Sequence, residues 1–392
     1  MKRRVYDTEH EHFRATVAAY VDKEVAPHWE RWDEQGLVDR CAWTAAGDLG
    51  LIGIAVPEEH GGGGVPDFRY RMVVMEELCR VGANSLNAGI SVQDDLVVPY
   101  LVDLGSHEQR TSWLPRLCAG TAIGSLALTE PGAGSDLRGI RTVARRDGDG
   151  WILNGSKIFI TNGILADVVV VLARIEPASD TGGYGLFVVP ADRAGFHRGR
   201  KLDKLGLRGN DTAELIFDNL VLTDADVLGT AGRGLAHVME RLPRERMSIA
   251  ATSVAASAAA LGWTRRYCFE RSAFGQPIGD FQATRFTLAE LETDLDAATS
   301  LLDRAVILLN AGELTAVDAA KAKYWITDLH QRVVDRCLQL HGGYGYMREY
   351  PIARSFADAR IQPIYGGTNE IMKDIIGRHI AAEAHNGIGG SR

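Results

Sequence analysis

Apolar positions change their period twice along the chain. Over residues 9–120 they recur at helical spacing. Phe13, Val17, Ala18, Val21 and Val25 form one stripe that Pro27 ends, and Met72, Met75, Leu78 and Cys79 open another. Between them, Gly61-Gly62-Gly63-Gly64-Val65-Pro66 predicts a loop, because a glycine run leaves the backbone too free for regular structure. Over residues 122–232 the apolar runs become short. Trp151-Ile152-Leu153 leads into a predicted turn at Asn154-Gly155 and then into Lys157-Ile158-Phe159-Ile160-Thr161. Val168-Val169-Val170-Val171-Leu172 and Gly185-Leu186-Phe187-Val188-Val189 are further strand-like runs. After Gly234 the helical period returns. Leu288, Leu291, Leu295, Ala298, Leu302 and Ala305 share a stripe, and another helix is predicted over 316–340, with Gly342-Gly343 as its left-handed cap. Helices of this length bundle. The pattern predicts a multidomain α and β protein: a helical domain over 1–121, a β domain over 122–232 and a helical bundle over 233–392.

Composition narrows the class. A chain of 392 residues exceeds one ordinary core. The net charge of −8, without clustered Lys and Arg, argues against a nucleic-acid partner. Five cysteines (Cys41, Cys79, Cys118, Cys268, Cys337) have neither disulfide rhythm nor metal-ligand spacing, so no metal site is expected and a reducing cytoplasm is. No window reads as apolar for long enough to span a bilayer, so membrane insertion is not expected. No Gly-x-Gly-x-x-Gly follows a strand, and neither a phosphate-loop lysine nor a Gly-x-Ser-x-Gly elbow is present.

Three segments have the small and hydroxyl residues that let a backbone approach an anion or a flat ring: Ala127-Leu128-Thr129-Glu130-Pro131-Gly132-Ala133-Gly134-Ser135-Asp136, Phe159-Ile160-Thr161-Asn162-Gly163 and Tyr365-Gly366-Gly367-Thr368-Asn369-Glu370. The first reads equally as a surface turn. Together with Lys204-Leu205-Gly206-Leu207-Arg208-Gly209, Asp211-Thr212-Ala213-Glu214-Leu215, Arg271-Ser272-Ala273-Phe274-Gly275 and Gln339-Leu340-His341-Gly342-Gly343, they make the chain similar to the acyl-CoA dehydrogenase family over nearly its whole length. Gln362-Pro363-Ile364-Tyr365-Gly366-Gly367-Thr368-Asn369-Glu370-Ile371 resembles the long-chain branch.

The resemblance implies a helical N-terminal domain, a β-barrel-like middle domain and a C-terminal four-helix bundle, assembled as a homotetramer. It implies FAD held between the middle and C-terminal domains. Leu128, Thr129 and Thr161 would reach the flavin ring, Phe159 would cover one face of it, and Ser135 would serve the cofactor or the thioester arm. Arg271 would meet the pyrophosphate of a neighbouring subunit's FAD. Phe274, Gln282, Gln339, Gly343, Thr368 and Glu370 also match cofactor positions, and Arg246 and Tyr365 match substrate positions. The implied reaction is α,β-dehydrogenation of an acyl thioester, on coenzyme A or a carrier protein, with an electron-transferring flavoprotein as acceptor. A flavin oxidase or monooxygenase on the same fold is the alternative, as is a DNA-associated binding member, which the acidic composition disfavours.

Many family members place the catalytic glutamate directly after the tyrosine of the Tyr-x-Gly-Thr segment, where this chain has Gly366. The long-chain and isovaleryl branches put the base on a bundle helix instead, and Leu242-Pro243-Arg244-Glu245-Arg246-Met247 places Glu245 there. Taken alone, Arg244-Glu245-Arg246 reads as a solvated charge cluster. The paired change, glutamate at one site and glycine at the other, points to Glu245 as the base. Gly366 keeps the backbone N–H that the family offers to the thioester oxygen. Gln93-Asp94-Asp95 reads either as an acyl-region signature or as an acidic cluster favoured by a helix N-terminus.

Overall fold

In the computed structural model, which describes residues 3–179 and 182–389, helices flank a central run of strands in sequence. The first helices are α1 (Thr8–Tyr20), α2 (Trp29–Gln35), α3 (Arg40–Asp48), α4 (Phe68–Arg80), α5 (Asn84–Ser91), α6 (Val98–Leu104) and α7 (His107–Cys118). Strands follow as β1 (Gly124–Ala127), β2 (Val143–Asp147), β3 (Gly150–Thr161), β4 (Val168–Ser179), β5 (Gly182–Pro190), β6 (Phe196–Lys201), β7 (Thr212–Thr223) and β8 (Val227–Gly232). The chain closes with α8 (Gly234–Glu270), the short strands β9 (Ser272–Ala273) and β10 (Gln276–Pro277), α9 (Gln282–Asn310), α10 (Ala316–His341), α11 (Pro351–Ala359) and α12 (Asn369–Gly389). By contacts these elements divide into two units. One comprises Met1–Ala15, Phe68–Asn84 and Leu242–Arg392, and the other Thr16–Asp67 and Ser85–Arg241.

The second unit is organised by a mixed sheet in the order β6-β7-β3-β2-β4-β5-β8, with β1 added in parallel to β4. Val168 to Ala173 of β4 are all buried, as a strand covered on both faces requires. In β7 buried residues alternate with exposed ones, so one face meets the core and the other faces out. Asn154-Gly155 is not the predicted turn. It lies inside β3 at a register shift, because Thr142 packs where a Cβ on Gly155 would sit (2.6 Å from Thr142 Cα). Gln93-Asp94-Asp95 is not a helix N-terminus either. It lies in a π-helical turn, Val92–Val97, between α5 and α6. Gln93 there donates to Leu117 O (2.8 Å) and accepts from Gly124 N (2.9 Å), while Asp94 accepts from Gly53 N (2.6 Å).

The first unit is helical. Its core joins Met72 and Met75 of α4, Met247, Ala251 and Val254 of α8, and Leu291, Ala298 and Leu302 of α9 to Ile326 and Val333 of α10. Each fully buried leucine or methionine contributes about 1.5–3 kcal/mol over its exposed state. The predicted stripes fall where expected, on α4 and α9, and the helix predicted over 316–340 is α10. The cap of α10 differs: Gly342 has φ 59° but ψ −138°, so the chain enters a 3-10 stretch rather than a left-handed cap. Among the described residues, α8 is by length and composition apolar enough to cross a membrane, contrary to expectation. Most of that window is buried inside the protein, which is the setting of a core helix.

Candidate active site

In the sheet unit, β1 ends at Ala127, and Leu128 and Thr129 leave it for a tight turn in which Glu130 and Ala133 exchange backbone hydrogen bonds (2.8 and 3.1 Å). Lys157 of β3 fixes that exit. Its side chain is fully enclosed, and Nζ donates to Leu128 O (2.9 Å) and Glu130 Oε1 (2.8 Å). Burial pushes its pKa down to about 8, against the upward pull of Glu130. Ile158 N adds a bond to Thr129 O (3.0 Å). Two residues beyond Lys157 the strand is irregular, and Phe159 takes φ 62° and turns its ring outward, 64% exposed. An aromatic in that backbone state is held there by its neighbours rather than by its own preference.

The Lys204-to-Leu215 motif serves this strand end. Asn162 (φ 62°) donates to Gly89 O (3.0 Å) and Gly124 O (3.1 Å) and accepts from Asn210 Nδ2 (3.2 Å). Asp211 Oδ2 accepts from Ile164 N (2.6 Å), and burial raises its pKa. Thr161, one residue before this knot, is thereby fixed. Ser135 stands exposed on the far side of the turn, where Gly132 and Gly134 leave the backbone open. Among the described residues, the Thr129 N–H and the hydroxyls of Thr129, Ser135 and Thr161 have no protein partner.

The helical unit carries the other predicted residues in two separate groups. The first lies around Glu245, which the fold buries to 6% exposure on α8. Arg246 is buried as well, and that burial lowers its pKa while Glu245 raises it. Arg244 rests over the Phe68 ring at 5.9 Å. The triplet is therefore not a solvated charge cluster. One turn further along α8, Ile249 points at Gly366, and its Cδ1 occupies the space a Cβ at 366 would need. Gly366 and Gly367 both have left-handed backbones (φ 63° and 89°), and the Gly366 N–H has no acceptor among the described residues. Tyr365 turns its hydroxyl to Gln362 Oε1 (2.8 Å), Thr368 O receives Met372 N (3.0 Å), and Glu370 sits in the first turn of α12. Lys323 of α10 grips this loop, donating to Gly367 O (2.8 Å) and Asn369 Oδ1 (2.9 Å).

The second group lies at the far end of α8, about 30 Å from Ile249 by helical rise. Arg271 lies over the Tyr344 ring at 5.6 Å. Phe274 tips a two-residue turn with φ 52° and 84° at Phe274-Gly275, and is 96% exposed. Gln282 opens α9, while Gln339 lies in the last turn of α10 and Gly343 in the 3-10 stretch after it, and the stacked Tyr267 and His341 rings (4.3 Å) tie α10 to α8.

Sequence reasoning missed Lys157, Lys323 and Ile249. A faint signal existed for the lysines: Lys323 falls on the buried stripe with Ala319, Ala320, Ile326 and His330, and Lys157 interrupts an apolar strand. Nothing in the sequence singled out Ile249.

Unpartnered N–H and hydroxyl donors beside an outward aromatic suit a flat, carbonyl-rich ring bearing phosphates, the donor set of a flavoprotein. The comparisons with known proteins agree. Models of the acyl-CoA dehydrogenase N-terminal, middle and C-terminal domains match residues 7–121, 125–220 and 232–381. Long-chain specific acyl-CoA dehydrogenase of Sus scrofa mitochondria is 45% identical over 96% of this chain and 88% of its own. The crystal structure of an acyl-CoA dehydrogenase from Geobacillus kaustophilus superposes with TM-score 0.93 at 41% identity, covering 97% of this chain and all of the other. A glutaryl-CoA dehydrogenase from Mycobacterium smegmatis, solved in complex with FADH2, gives TM-score 0.91 at 32% identity, covering 97% and 96%. The chain belongs to the acyl-CoA dehydrogenase family. It is an FAD-dependent oxidoreductase.

Proposed function

We propose that the chain dehydrogenates a fatty acyl-CoA to its trans-2-enoyl-CoA, with Glu245 as the base. The observation that carries the assignment is Glu245 buried one helical turn from Ile249, whose tip abuts Gly366. The carboxylate takes the α-proton, the electrons of that C–H bond form the α,β double bond, and the β-hydride leaves. Bound FAD supplies the two-electron acceptor for that hydride. The Gly366 N–H, without an acceptor among the described residues, would donate to the thioester oxygen as negative charge gathers there. Leu128, Thr129, Ser135, Phe159, Thr161, Thr368 and Glu370 would hold the cofactor. The resemblance to the long-chain branch favours an extended acyl chain, with an electron-transferring flavoprotein taking the electrons onward.

The group at the far end of α8 supports a further part of this reading. Arg271, Phe274, Gln282, Gln339 and Gly343 stand about 30 Å along the helix from Ile249, so they would serve the cofactor of another copy in a homotetramer.

The test is anaerobic mixing of the yellow protein with an acyl-CoA panel, using wild type and Glu245→Gln. Wild type should bleach with its preferred chain, and Glu245→Gln should bleach at least about a hundredfold more slowly. Bleaching at the wild-type rate in Glu245→Gln would remove Glu245 from the role.

A further inference from the structure

Lys323 carries a positive charge with no exposed surface, and proton abstraction by Glu245 gives it no task. Its ammonium donates to Gly367 O (2.8 Å) and Asn369 Oδ1 (2.9 Å). Asn369 is held in turn: its Nδ2 donates to Tyr324 O (3.2 Å), Thr327 Oγ1 (2.9 Å) and Asp328 Oδ1 (2.7 Å). One stretch of α10, from Lys323 to Asp328, thus grips the chain immediately after Gly366.

That grip is costly for stability. Burial and the neighbouring Arg246 push the Lys323 pKa down to about 8. A cation at the start of α12 also opposes the helix dipole. An apolar side chain of similar length would fill the space without either penalty, at the cost of leaving Gly367 O without this donor. What the cation supplies is definition. Gly366 and Gly367 are consecutive left-handed glycines, the least self-determined backbone a chain can have, and the Gly366 N–H has no acceptor among the described residues. An oxyanion donor works only if it is fixed before charge develops, and a misplacement of about 1 Å costs roughly a hundredfold in rate.

We propose that Lys323 is a positioning residue for the dehydrogenation: by clamping Gly367 O and Asn369 it fixes the Gly366 N–H against the thioester oxygen of bound acyl-CoA. This rests on the function proposed above. The test uses Lys323→Met and Lys323→Gln holoenzymes with two probes. One is the acyl-CoA that reduces wild type fastest. The other is an acyl-CoA labelled with carbon-13 at its carbonyl and carrying sulfur in place of the β-carbon, which cannot lose a hydride. Flavin reduction at saturating substrate should fall about tenfold or more, while half-saturation moves less than about threefold. The infrared carbonyl band of the labelled probe should shift back toward that of free thioester, with FAD content and melting temperature kept. An unchanged rate and band would overturn the proposal. So would losses in both variants that track lost FAD or lowered melting, since Lys323 would then be structural only. Wild-type bleaching by Glu245→Gln would sink the base assignment, yet the carbonyl band would still report on the clamp.

Discussion

Ile249 of α8 and Gly366 of the loop before α12 compete for one volume: a Cβ at 366 would be driven into Ile249 Cδ1. The left-handed φ of 63° at Gly366 disfavours a side chain there a second time. The same face of α8 that closes the loop position to a glutamate carries a buried glutamate one turn earlier. The two features are one packing solution.

Gly366→Ala should therefore cost about 2–4 kcal/mol, from overpacking and backbone strain together. Adding Ile249→Ala should recover the steric part alone, giving a coupling of about 1 kcal/mol or more in a double-mutant cycle of urea midpoints. Strict additivity would mean the loop moves away from Ile249 freely. A Glu245→Gln, Gly366→Glu double variant should stay inactive unless Ile249 is shortened as well.

Lys157→Met should leave the buried Glu130 without its counter-charge, held only by the N–H groups of Arg141 and Thr142, and destabilise by about 2–4 kcal/mol. A compensating Glu130→Gln should restore part of it. Because Lys157 also holds Leu128 O, the single variant should purify with less FAD per chain, read from the ratio of flavin to protein absorbance. Full FAD content at wild-type stability would show that the strand exit needs no clamp.

His330 on α10 is buried, and its two ring nitrogens have no hydrogen-bond partner among the described residues. Burial holds its pKa down at about 4. Below pH 6.5 the unfolded chain binds a proton that the fold refuses, so stability falls as pH drops toward 4. At pH 5 the loss from this group is on the order of 2 kcal/mol. His330→Met should lose correspondingly less between pH 7.5 and pH 5 in urea titrations, and an identical pH slope would exclude His330 as the source.

Phe274 stands almost wholly in solvent on its turn, and Arg271 is exposed three residues before it. Phe274→Ser should leave the melting of the individual chain nearly unchanged. Arg271→Gln should lower FAD retention, and both variants should shift gel-filtration profiles toward smaller species. A tetramer and full FAD content in both variants would separate this end of the bundle from cofactor and assembly.

Much of the fold was readable in advance because long periodic elements are set by local pattern. The stripes of α4 and α9, the span of α10 and the valine run of β4 were visible from local pattern alone. The errors fell where tertiary neighbours override a local signal. Asn154-Gly155 has turn chemistry, yet Thr142 packing against it keeps it inside a strand. Gln93-Asp94-Asp95 reads as an acidic cluster at a helix N-terminus, yet it lies within a π-helical turn where Gln93 and Asp94 bond backbone groups of Gly53, Leu117 and Gly124. The apolar length of α8 was underestimated because alanines and serines dilute it, although the fold buries most of them.

The site divides in the same way. Sequence by itself determined the residue types at each station: glycine at 366, glutamate at 245, and hydroxyls at 129, 135 and 161. Those identities are local facts. Only the tertiary structure decided that Glu245 is buried, that Ile249 closes the Gly366 position, and that Lys157 and Lys323 each clamp a loop. Burial, steric exclusion and hydrogen-bond reach depend on groups brought together from 29 residues away, for Lys157 and Leu128, to 117, for Ile249 and Gly366. No periodicity along a chain encodes that separation, because it is fixed by how helices and strands pack.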